Sequence, residues 1–188
     1  MAVNMYTTGG AGDGKTTLAA AILYCLATQY PNLNAVQAAG ADSGAVKREL
    51  FATPSHSFSL VDAPAATREA ALASSPKMDI ALLVISSLDG PQQGTVDAIE
   101  QAKAAGVSQI VAYLSKTDRA RDEELLELLE LETRELLSHH GGYDGDSVAI
   151  FCGSATEALG SSGSHVDPKA ASIFALVAAL DTVAPALT

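Results

Sequence analysis

Residues Ile80–Ser86 read IALLVIS, seven residues with no charge and one terminal hydroxyl. A strand with one wet face alternates apolar and polar side chains; a strand covered on both faces does not. This run therefore predicts a central strand with packing on either side. The segments around it alternate in type. Ala2–Thr8 reads as a short strand and Thr16–Gln29 as a helix after a glycine-rich turn. Between Pro31 and His56 the pattern is irregular, with one strand expected near Leu33–Ala38. Ser57–Asp62 alternates and ends on an acid, and Pro64–Ser74 looks helical. Pro91–Ala105 is a helix with proline in its first turn and Gly106 past its end. Val107–Leu114 is a strand, Asp122–His140 a long acidic helix closed by Gly141-Gly142, Val148–Gly153 a strand, and Pro168–Leu180 a helix.

Helices alternating with single strands imply an α/β domain: a mainly parallel sheet between two helical layers. The 188 residues suit one such domain, and 48% hydrophobic residues suffice for its core. Ligands in these folds bind past the carboxyl ends of the strands. Asp62, Asp89, Asp118 and Ser154 all fall there, so they can converge on one edge.

The net charge of −11 disfavours nucleic acid and anionic lipid. The close basic pairs, Lys47-Arg48 and Arg119/Arg121, are small. An acidic chain that holds an anion needs local positive devices. The sequence supplies one in Gly9-Gly10-Ala11-Gly12-Asp13-Gly14-Lys15-Thr16, which fits G-x-x-x-x-G-K-[ST] between a strand and a helix. Gly9, Gly12, Asp13 and Gly14 turn backbone amides toward phosphates, and the helix start carrying Lys15, Thr16 and Thr17 adds positive potential. Lys15 reaches the β- and γ-phosphates, and the Thr16 hydroxyl can bind Mg²⁺. A dinucleotide fingerprint fits less well: Gly10-x-Gly12 is present, but Lys15 stands where its last glycine belongs and no strand-ending acid follows about twenty residues on.

Asp62 ends a strand beside this loop and is a candidate metal-linked carboxylate; a helix cap is the structural alternative. Ser115-Lys116-Thr117-Asp118 follows another strand. A carboxylate at Asp118 can accept from guanine N1 and its exocyclic amine, a donor pair that adenine lacks. The Lys116 stem can lie along the base, and the loop Ser154-Ala155 can offer an amide to guanine O6. Lys15, Thr16 and Asp62 are thus the candidate catalytic set. An ATP-using kinase remains the competing reading of the phosphate loop.

Together these motifs resemble the translational GTPases, and among them the GTP-binding domain of elongation factor Tu. The resemblance runs through GDGKTTLAAAI, MDIALLVISSLDGPQQGT, DEELLELLELETRELLS and FCGSATEALG, and is thin over Pro31–His56. It implies a Ras-like P-loop NTPase fold, a six-stranded mainly parallel sheet with one antiparallel edge strand, over 1–188 as a single G domain. It also implies GTP/GDP and Mg²⁺ as cofactors. The departures are as informative. Ser115 stands where the family has an Asn that ties the base loop to the phosphate loop. Ala65 and Ala66 replace a glycine whose amide faces the γ-phosphate and a histidine that positions water. The first-switch threonine motif is absent, with Thr53 as a candidate substitute. Weak Mg²⁺-dependent GTP hydrolysis is therefore expected, raised by a protein partner; the alternative is a non-hydrolysing interaction module. Without the family's β-barrel domains, tRNA binding is not expected. No segment reads as a signal peptide or membrane span, so a cytoplasmic protein is expected. Cys25 and Cys152 are expected as buried reduced thiols, and His139-His140 as a helix-end pair without metal.

Overall fold

The computed structural model describes residues 2–34, 40–43, 46–64, 67, 69, 77–120 and 122–184. In chain order the elements are β1 Val3–Thr8, α1 Lys15–Gln29, a single turn α2 Pro31–Asn34, β2 Gly40–Ser43, β3 Val46–Ala52, β4 Ser57–Asp62 and β5 Ile80–Ser86. Then follow α3 Gln93–Ala104, β6 Gln109–Ser115, α4 Glu123–Leu136 with a π-helical turn Leu137–Gly141, and β7 Ile150–Cys152. α5 Ala155–Leu159, a 3₁₀ turn Pro168–Ala170 and α6 Ala171–Val183 complete the order.

The sheet runs β2-β3-β4-β1-β5-β6-β7. The strands from β4 to β7 are parallel, and β3 lies antiparallel to β4. Six of these strands, β1 and β3 to β7, form the expected six-stranded, mainly parallel sheet of a Ras-like α/β fold, and short β2 adds a seventh. One detail differs: short β2 pairs outside β3, so the antiparallel strand is not the edge. The strand expected near Leu33–Ala38 is not formed at its start. Leu33 and Asn34 belong to α2, where Pro31 fits a first helical position, and 35–39 lie outside the described residues. The helix expected over 64–74 also falls mostly outside them, although Thr67 and Glu69 are helical.

β5 shows why its sequence lacks alternation. Ile80, Leu82 and Val84 join a core with Leu18, Ile22 and Leu26 of α1 and Ile173, Leu176 and Leu180 of α6. Ala81, Leu83 and Ile85 join the opposite core with Ala98 and Ile99 of α3 and Leu129 of α4. Side chains alternate across the strand, but both sides meet helices. Cys25 is buried as expected; Cys152 is exposed, because β7 is an edge strand.

α4 begins where Asp122 caps it, accepting from the Glu124 and Leu125 amides at 3.1 and 3.4 Å. At its far end Arg134 pairs with Glu130 at 2.7 Å and donates to the Gly145 and Val148 carbonyls. The helix then widens into the π turn and stops at left-handed Gly142. His139 and His140 sit in that turn against Glu135 O and Glu100, in agreement with a structural role.

Leu82→Ala should cost roughly 2–5 kcal/mol, because the cavity lies in a closed core. Leu128→Ala should change stability by less than about 0.5 kcal/mol, since Leu128 is 59% exposed. Urea midpoints of the two variants check this, and equal shifts would contradict it.

Candidate functional site

The phosphate loop turns between β1 and α1. Gly14 caps α1 with φ 93°, a left-handed value that side chains resist. Gly9 has φ 136°, and a Cβ there would collide with the Val84 carbonyl oxygen. The loop is closed on itself. Lys15 Nζ donates to the Gly10 carbonyl and lies 3.5 Å from that of Gly9. Asp13 turns its side chain under the loop, where Oδ2 accepts from the Gly10 amide at 2.6 Å. Burial pushes the Asp13 carboxyl above its ordinary value of 3.8, against the opposing pull of the Gly10 amide and Lys15. Asp13 therefore belongs to the loop's internal wiring, and its backbone rather than its carboxylate is the part suited to an anion.

Asp62 ends β4 and is buried. Its two oxygens accept from Thr7 Oγ1 and Thr16 Oγ1, each at 2.6 Å. Thr16 and Asp62 line a cavity of about 470 Å³ together with Gly12, Lys15, Lys47 and Pro64. A hydroxyl and one carboxylate side by side suit Mg²⁺, which keeps several waters and takes few protein ligands.

A second cavity of about 180 Å³ collects Ser115, Lys116, Asp118, Arg119, Ser154 and Ala155. Gly14 and Thr17 line both cavities, so the two form one groove. The join is held by Ser115, whose Oγ donates to the Asp13 carbonyl at 2.6 Å and is buried. The shorter serine thus makes the tie between base loop and phosphate loop that the family entrusts to asparagine. Lys116 has φ 63°, an uncommon left-handed value for a side-chain-bearing residue. Its ammonium stands 3.9 Å from Asp89, so Asp89 serves the rim rather than the groove. Ser154 Oγ accepts from the Glu157 amide at 3.1 Å and caps α5, which leaves Ala155 at the groove wall.

Thr53 is not at this site. β3 pairs Lys47 with Asp62 and Ala52 with Ser57, so Thr53 lies beyond the opposite end of β4. There its hydroxyl bonds Asp181 at 2.7 Å and anchors a turn to α6. Ala65 and Ala66 lie outside the described residues. Sequence reasoning missed Thr7, Lys47 and Arg119, and also Thr156, which lines the second cavity. Thr7 was findable as the last alternate position of β1 beside Asp62; the others needed strand register or loop geometry.

Asp13→Asn should stabilise the fold near neutral pH. A carboxyl whose folded pKa is raised binds its proton more tightly when folded, so stability is lost as pH climbs from 3.8 through the folded value. The variant's stability relative to the parent should therefore rise as pH climbs above 3.8 and shrink as pH falls back toward it. Urea midpoints of parent and variant across that interval test this; parallel profiles would refute it.

Residues 1–186 match the family model described as the elongation factor Tu GTP binding domain.

Proposed function

From the premise that this chain belongs to the elongation factor Tu GTP-binding domain family, and so is a GTP-binding G domain, we propose that it is a weak, Mg²⁺-dependent GTPase. The observation that carries this reading is the single groove, held at its waist by the Ser115–Asp13 bond, with Asp118 at one end and Lys15, Thr16 and Asp62 at the other. We take 1–188 as one G domain.

In this reading the amides of the loop from Gly9 to Gly14 and those of Lys15, Thr16 and Thr17 hold the phosphates. Lys15 exchanges loop carbonyls for the β- and γ-phosphates. Asp118 accepts from guanine N1 and the exocyclic amine, Lys116 covers the base, and Ser154-Ala155 presents a backbone amide to O6. Thr16 and Asp62 would hold Mg²⁺. When bound, that ion offsets charge on the phosphate oxygens. Thr7 keeps the Asp62 carboxylate oriented while Thr16 changes partner. Phosphoryl transfer depends mostly on position and charge, but a water must still be aligned. Ala66 has no polar atom for that task, so slow turnover follows, raised by a protein partner that supplies the missing group. The same alanines support a second reading, a non-hydrolysing module whose partner binding is nucleotide-dependent or constitutive. Among the described residues no helix is long and apolar enough to cross a membrane. A cytoplasmic location is part of the proposal.

Calorimetric titration of nucleotide-free protein with GTP, GDP and ATP, with and without Mg²⁺, tests the binding roles. Guanine nucleotides should bind selectively, and Asp118→Ala should weaken them on the order of 100-fold or more. ATP binding that survives Asp118→Ala, with no response to GTP, would favour a kinase instead. Single-turnover hydrolysis then separates the remaining readings: slow phosphate release supports the weak GTPase, and none over hours supports the module.

A further inference from the structure

The cavity beside Asp62 holds a cation that the sequence motifs do not account for. Lys47 lies directly across from Asp62 in the antiparallel β3–β4 pair. Directly opposite residues project to the same face of a sheet. The face is fixed independently by Phe51, four residues further on β3, which stacks on its partner Phe58 at 4.9 Å inside the α1-side core. Stepping back by twos, Glu49 and then Lys47 stand on that face, and so does Asp62, which meets Thr16 of α1. Lys47 accordingly lines the same cavity as Gly12, Lys15 and Thr16.

Opposite Cβ atoms in such a pair are about 5 Å apart. A lysine arm starting there is long enough to reach over the cavity that it lines with Thr16 and Asp62. Lys15 lines the same cavity from the phosphate loop, so two cationic residues border it. Both neighbours on this stretch are acidic: Asp62 and Glu49, whose half-buried carboxyl is raised by burial and lowered by Lys47. The cation is thus kept at a place where a polyanion's outer end would sit, in a chain whose net charge is −11. We propose that Lys47 contacts the terminal phosphate of bound GTP, and thereby makes the site discriminate triphosphate from diphosphate. This rests on the guanine-nucleotide reading of the groove. It gives the chain a γ-phosphate contact of its own, on a strand rather than on the stretch where Ala65 and Ala66 stand.

The test compares affinities for GDP and a non-hydrolysable GTP analogue, at saturating Mg²⁺, in the parent, Lys47→Ala and Lys47→Arg. Lys47→Ala should weaken the triphosphate analogue about tenfold while GDP stays within about twofold, the loss expected for one charged hydrogen bond. Lys47→Arg should recover most of the preference. Because Lys47 is exposed, unchanged GDP affinity also reports an intact fold. An unchanged triphosphate-to-diphosphate ratio in Lys47→Ala overturns the proposal, as does equal weakening of both ligands. So does a rise in Mg²⁺ affinity with that ratio unchanged, which would mean that Lys47 only guards the metal position. If the parent binds neither guanine nucleotide, the nucleotide reading fails first and this inference falls with it.

Discussion

One buried hydrogen bond, from Ser115 Oγ to the Asp13 carbonyl, sets the relation between the two halves of the groove. Ser115 ends β6 and Asp13 lies in the turn after β1, with β5 between those strands. Neither loop has regular pairing of its own, so without a link each could shift against the other. A hydroxyl bonded to a backbone carbonyl in a dry setting is hard to replace with water. The sheet below it is also stiff, because β5 is packed on both faces. The distance from the Asp118 end to the Lys15 end is therefore a property of the core as much as of the loops.

The charge arrangement follows the same economy. A strongly acidic chain cannot attract a polyphosphate by its overall field. It can do so by concentrating cations, and four of its 11 Lys and Arg residues, Lys15, Lys47, Lys116 and Arg119, line the two joined cavities. The loop also satisfies itself. Lys15 bonds its carbonyls and Asp13 one of its amides. These bonds hold the loop shape in advance, so less ordering remains when an anion arrives. Under the proposed reading, ligand binding would be an exchange of partners in which Lys15 leaves Gly10 O.

Much of this was legible in the sequence, for physical reasons that also mark where legibility ended. The unbroken apolar run at Ile80–Ser86 reports two-sided burial, and strand ends report the ligand edge; those two facts were enough to bring Asp62, Asp118 and Ser154 toward the phosphate loop. The family resemblance then supplied the mainly parallel sheet with one antiparallel strand. What failed depended on register. Thr53 and Lys47 sit six residues apart in sequence near opposite ends of one strand, and only the pairing with β4 decides which of them meets Asp62. Chemistry suggested the threonine, whereas geometry brings the lysine. Asp13 was read as offering its backbone amide, and that reading did not foresee that the Gly10 amide draws its side chain beneath the loop.

Asp62 shows how such a site can change partners without losing its shape. A carboxylate held by one bond swings when that bond is exchanged. Asp62 has two, and they come from different elements: Thr7 belongs to the sheet and Thr16 to the first turn of α1. The Thr7 bond ties Oδ1 to a neighbouring strand of the same parallel ladder, where nothing has to move. The Thr16 bond is the one that must yield when that hydroxyl turns to a metal or phosphate oxygen. Oδ2 then stays aimed at the vacated position, because Thr7 still fixes the carboxylate plane. The orientation of the site is thus carried by a residue outside the phosphate motif, and the motif's own threonine is left available for exchange.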